Sequence, residues 1–130
     1  KPYQVHALTD VTGFGLMVHL NEMLDHKKSA ILYGNHIPYF RDCPYYVDEF
    51  YLSGAAQTNR NSVEKEVVFE KENFFLEEMM YDPQTSGGLL ASVAKEDLDD
   101  IMNAFKEAGR ECYVIGEVID LKDKSIYVGE

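Results

Sequence analysis

The chain has 130 residues, 45% of them hydrophobic, and carries a formal net charge of −11 from 12 basic and 23 acidic side chains. This length and composition fit one globular domain with a real core and exclude a disordered chain. The acidic balance repels phosphate backbones and argues against a nucleic-acid partner, and no apolar run approaches the roughly 18 residues needed to cross a bilayer.

Residues 3–8 read as a short strand. From Gly13 the period changes, and Leu16, Leu20, Met23 and Leu24 recur at helical spacing with Met17 widening the stripe. His26-Lys27-Lys28 suits a helix C-terminus. Residues 30–33 read as a strand and Gly34-Asn35 as a turn. An aromatic-rich helix is predicted over 41–52, with Pro44 in its first turn, where a missing N–H is harmless. The polar stretch 53–64 is expected to be a long loop. A strand follows at 67–69, a short helix at 73–80 and a break at 81–88. Residues 89–93 are apolar and predict an interior strand. The clearest helical pattern is 95–108, where Leu98, Ile101, Met102, Phe105 and Ala108 share a face and Gly109 stands at the C′ position. Residues 112–119 and 125–128 read as strands joined by a turn, a terminal hairpin. The alternation predicts an α+β fold, a mixed sheet with helices packed on one face, in a single domain over 1–130.

Two constellations carry candidate chemistry. The first is Thr9-Asp10-Val11-Thr12-Gly13-Phe14-Gly15-Leu16. Asp10 is either a capping or turn-forming carboxylate or a magnesium ligand, since magnesium is commonly held by one or two protein carboxylates plus phosphates and water. Gly13 and Gly15 either let backbone N–H groups approach an anion or allow tight helix packing. The second is Asp82-Pro83-Gln84-Thr85-Ser86-Gly87-Gly88-Leu89-Leu90. It is a phosphate-touching nest of N–H groups or a turn feeding a buried strand, and it lacks the lysine of a P-loop. The four histidines, His6, His19, His26 and His36, form no ligand set and read as surface or packing residues. Cys43 and Cys112 show neither CxxC nor zinc spacing and read as reduced thiols in a cytoplasmic protein.

Together, in this order, the two constellations resemble the selenophosphate synthetase (selenide, water dikinase) family. Asn59-Arg60-Asn61 and Val114-Ile115-Gly116-Glu117-Val118 fit the same resemblance. It implies a fold like the C-terminal domain of aminoimidazole ribonucleotide synthetase. It implies the C-terminal half of a longer enzyme, and a start at Lys1 rather than methionine agrees. The implied reaction converts selenide, ATP and water into selenophosphate, AMP and phosphate with magnesium. The reactive cysteine or selenocysteine and the catalytic lysine belong to the other half, so no catalytic residue is assigned here and the isolated piece is expected to be inactive. Asp10 matches the family's magnesium aspartate from this half. Thr85, Ser86 and Gly87 are a phosphate-binding or structural proposal. A homodimer is implied for the full-length protein. The alternatives are a related ATP-dependent synthetase or kinase, or a non-catalytic interaction module.

Overall fold

A computed structural model describes residues 3–84 and 87–130. Strand β1 (Val5–Asp10) leads through a short turn into helix α1 (Gly15–Leu24). Met17, Val18, Leu20 and Leu24 line the buried face of α1. The helix stops at Leu24, because Asp25 and His26 both take left-handed backbone (φ 51° and 55°) and reverse the chain before the lysines. Strand β2 (Lys28–Tyr33) follows.

Helix α2 (Cys43–Asp48) is shorter than the predicted 41–52 segment and carries proline in its first turn, as expected. Residues 53–64 are not a loop: Gly54–Val63 form helix α3, and the Ser53 hydroxyl accepts the Ala55 N–H at 3.1 Å as its N-cap. Its polar composition hides the period, because its buried face is Ala56, Asn59 and Val63, with an amide standing where an apolar residue is usual. Strand β3 (Val67–Phe69) and helix α4 (Phe74–Tyr81) follow, the latter capped by the Asn73 carboxamide accepting the Leu76 N–H. Then come β4 (Leu89–Val93), α5 (Leu98–Glu107), β5 (Gly116–Asp120) and β6 (Ile126–Gly129). Gly109 sits after α5 with φ 70°, the left-handed C′ residue its position predicted.

The fold is α+β, and its main sheet is mixed, with strand order β3-β6-β2-β5. Strand β2 runs antiparallel to β5 (Lys28 opposite Asp120, Leu32 opposite Gly116) and parallel to β6 (Ala30 opposite Ile126). The predicted terminal hairpin is therefore absent: β5 and β6 flank β2 and do not pair with each other. Their connection crosses the start of β2, where the fully buried Ser29 pins it. The Ser29 hydroxyl donates to the Lys124 carbonyl at 2.7 Å and accepts the Lys122 N–H at 2.9 Å. A local turn signal at 120–124 could not reveal that the chain steps over a strand nearly a hundred residues earlier.

Helices α1, α3 and α4 pack on one another and on this sheet. The core joins Met17, Leu20 and Leu24 to Ala30, Leu32, Ala56, Val63, Met80, Tyr81, Ile126 and Val128. Strands β1 and β4 form a separate antiparallel ribbon. Strand β4 is thus not interior. Leu89 is 68% exposed, and only the face bearing Leu90 turns to the core. No helix among the described residues is long and apolar enough to cross a membrane.

Candidate functional site

The two sequence constellations, seventy residues apart, meet where the ribbon runs into α1. Asp10, the last residue of β1, lies opposite Leu89, the first of β4. Just beyond, the Val11 N–H donates to the Gly88 carbonyl at 2.9 Å. The Gln84 and Gly15 N–H groups both donate to the Thr12 carbonyl at 3.0 Å. An ideal Cβ on Gly87 would lie 2.1 Å from the Val11 carbonyl oxygen, so only glycine lets the two segments touch. Thr85 and Ser86 lie outside the described residues.

Gly15 has φ 79°, and a Cβ there would stand 2.9 Å from the Asp82 carbonyl oxygen and 3.0 Å from that of Tyr81. Its role is therefore close approach of helix to loop. Around Gly13 there is no atom within 4 Å of such a Cβ. The two glycines of the motif thus do different things.

Two buried polar side chains hold this junction together. Asn59, 4% exposed, donates from Nδ2 to the Gly13 carbonyl (3.1 Å) and to the Tyr81 carbonyl (2.8 Å). It ties the first constellation to the entrance of the second. His19, 7% exposed, accepts the Thr12 N–H at Nε2 (3.2 Å), and the Thr12 hydroxyl lies 3.0 Å from the same nitrogen. A ring nitrogen that accepts an N–H is unprotonated, so the hydroxyl must donate too and the ring proton sits on Nδ1. That Nδ1 is buried without a hydrogen-bond partner among the described residues, and the nearest carboxylate, Glu22, is 3.8 Å away. His19 is thus a packing histidine, as expected, and one with a specific load. Its seven-residue spacing from Thr12 is the signal that could have found it, since a helix N-terminal loop can be reached from about one turn into the helix.

The consequence for anion binding is concrete. The N–H groups of Val11, Thr12 and Gly15 are all donated within the junction. The Asp10 carboxylate at the junction is exposed and has no ion pair or hydrogen bond to the described residues. Among the described residues no group of three or more His, Cys, Asp or Glu side chains is arranged to hold a metal. A single exposed carboxylate fits magnesium as one ligand among phosphates and water, and does not make a metal site alone.

Beneath the junction, Arg60 pairs with Glu78 at 2.9 Å and Glu77 at 3.4 Å, and its guanidinium lies 4.7 Å from the centre of the Tyr81 ring. Burial pushes the Tyr81 phenol up to about 12, with Arg60 opposing and Glu77 and Glu64 adding to the rise. Burial, and then Glu78, also raises the Asp82 carboxyl above its ordinary value. For Tyr81 the folded protein keeps its proton longer than the unfolded chain does. Its contribution is intact below pH 10 and is lost as pH rises towards about 12. Wild type should therefore lose stability relative to Tyr81→Phe across that window and not below it, as read from urea midpoints at stepped pH.

Residues 2–129 match the family described as AIR synthase related protein, C-terminal domain. The chain belongs to this family. Among curated relatives of the AIR synthase related domain seen here is a "Selenide, water dikinase" of Desulfitobacterium hafniense (strain DSM 10664 / DCB-2). It is 39% identical over 129 residues, covering 99% of this chain and 38% of the relative. One from Agathobacter rectalis is 41% identical, covering 97% and 37%. Another from Myxococcus xanthus is 37% identical, covering 89% and 34%. The chain thus spans a little over a third of the length of the curated relatives it matches most fully.

Proposed function

We propose that this domain works as the C-terminal part of a selenide, water dikinase, an ATP-dependent enzyme that makes selenophosphate, AMP and phosphate from selenide, ATP and water. The observation that carries the reading is the meeting of the two constellations, with the Asp10 carboxylate exposed at their junction. The kinship with selenide, water dikinases over nearly the whole chain supports it.

In this reading Asp10 gives one oxygen ligand to magnesium, in a site built mainly by the rest of the enzyme. Bound magnesium would neutralise charge on the transferring phosphates. Asn59, His19 and the close approach at Gly15 act away from the substrate. They fix where the end of β1 points, and in phosphoryl transfer placing the groups supplies most of the catalysis. Thr85, Ser86 and Gly87 remain part of the proposal as a phosphate contact or as the turn that supports it. The nucleophile and the catalytic lysine are assigned to the other part, and the full-length enzyme is expected to be a cytoplasmic homodimer. Cys43 and Cys112, which form no disulfide, suit that compartment.

The test is Asp10→Asn in the full-length enzyme, with selenide-dependent AMP formation followed as magnesium is varied. The substitution is on the surface, so stability should change by no more than about 0.5 kcal/mol. The magnesium concentration for half-maximal rate should rise about tenfold, equivalent to about 1.4 kcal/mol of lost binding. An unchanged magnesium dependence would remove Asp10 from the site.

A further inference from the structure

Far from the Asp10 junction in function, the chain exposes an unusual run of rings around α2. Phe40 is 87% exposed, Phe50 73%, Tyr51 72% and Tyr45 61%, with Tyr39, Tyr46 and Phe74 about half exposed. Five of these rings pair, in two groups. Tyr46 stacks edge-on to both Tyr45 (5.3 Å between centres) and Tyr51 (5.7 Å), and Phe50 lies 6.1 Å from Phe74. Phe50 holds left-handed backbone, φ 61°, a conformation costly for a bulky residue. Exposed apolar patches on otherwise polar proteins mark interaction sites.

The charges beside the rings narrow the occupant. Between residues 38 and 53 the acidic side chains are Asp42, Asp48 and Glu49, all exposed, against the single cation Arg41. A second copy would bring the same acidic face, on a chain already at −11. An anionic lipid surface and a nucleic acid are repelled in the same way. Aromatic faces next to carboxylates suit a segment carrying both arginine or lysine and apolar anchors. The cations lie over the rings or pair with the carboxylates, and the anchors fill the gaps between rings.

We propose that the α2 aromatic surface docks a basic, amphipathic segment of a protein partner. Tyr45, Tyr46, Phe50 and Tyr51 form the platform, and Asp48 and Glu49 set the charge preference. This surface is independent of the Asp10 reading and stands whether or not that reading survives.

The experiment uses the full-length protein at physiological salt and a fluorescein-labelled 16-residue amphipathic peptide of arginine and leucine, with a glutamate-for-arginine version as control. Binding is read by anisotropy. The arginine peptide should bind and the glutamate peptide should not. Tyr45→Ser/Tyr46→Ser/Tyr51→Ser should weaken binding at least tenfold, with circular dichroism confirming the fold. Asp48→Asn/Glu49→Gln should weaken it several-fold, while Glu96→Gln/Asp99→Asn, an equal change of charge elsewhere, should leave it unaltered. Equal losses from the two charge pairs, indifference to the tyrosines, or no binding because the rest of the polypeptide covers the rings would each overturn the proposal. So would sedimentation showing that the triple tyrosine variant dissociates an existing dimer, since a second copy would then be the occupant.

Discussion

Gly15→Ala is expected to destabilise the fold by about 2–4 kcal/mol, while Gly13→Ala, two residues away in the same motif, should cost no more than about 0.5 kcal/mol. The difference rests on geometry. Gly15 combines φ 79° with backbone carbonyl oxygens 2.9 and 3.0 Å from where a Cβ would sit. Left-handed backbone alone costs a non-glycine residue about 1–2 kcal/mol. The carbonyls of Tyr81 and Asp82 cannot rotate away as a side chain would, so α1 must also move off α4. Gly13 meets neither obstacle. Urea denaturation of both variants against wild type measures the contrast. Equal losses would show that the motif's glycines serve something other than this close approach.

Asn59→Leu is expected to cost about 2–4 kcal/mol, although leucine is the better helix former and has the same branched skeleton. The substitution keeps the branching and removes both donated hydrogen bonds, leaving the Gly13 and Tyr81 carbonyls facing a hydrocarbon. Each stranded acceptor carries a desolvation penalty of about 1–3 kcal/mol. The neighbouring Asn61→Ala supplies the contrast. Asn61 is exposed and only accepts a hydrogen bond from Gln57 on the helix surface, so its loss should be within about 0.5 kcal/mol. Thermal and urea unfolding of both variants provides the check. Tolerance of leucine at position 59 would mean that the junction is held by backbone contacts alone.

Most elements were legible in the sequence because their signals are local. The 3.6-residue apolar repeat of α1, the amphipathic stripe of α5 with Gly109 behind it, and Pro44 in the first turn of α2 each act within a few residues. The α+β class with a mixed sheet followed from their alternation. What escaped is non-local. Helix α3 buries Asn59 rather than an apolar residue, so its stretch scored as loop. Strand β6 pairs with β2 and β3, which no turn signal at 120–124 announces. The ribbon of β1 and β4 became visible only when distant strands were placed side by side. At the site, the motifs named Asp10, Gly15 and Gly87. The sequence did not show that Thr12 donates its N–H to His19, because their spacing permits the bond without requiring it.

The strand order has a consequence for how the domain is made. Strand β6 is interior to the sheet, yet it is the last strand in the chain, and it joins β2 to β3 through parallel pairings. Until those four residues arrive, β2 and β3 have no link to each other, and Leu32 and Val63 face a gap where Ile126 and Val128 belong. Such long sequence separations slow folding. During synthesis the helices can collapse early, but the sheet cannot close before residue 129 is clear of the ribosome. The domain is therefore committed late and all at once, and an incomplete chain exposes its apolar interior to whatever chaperone is nearby.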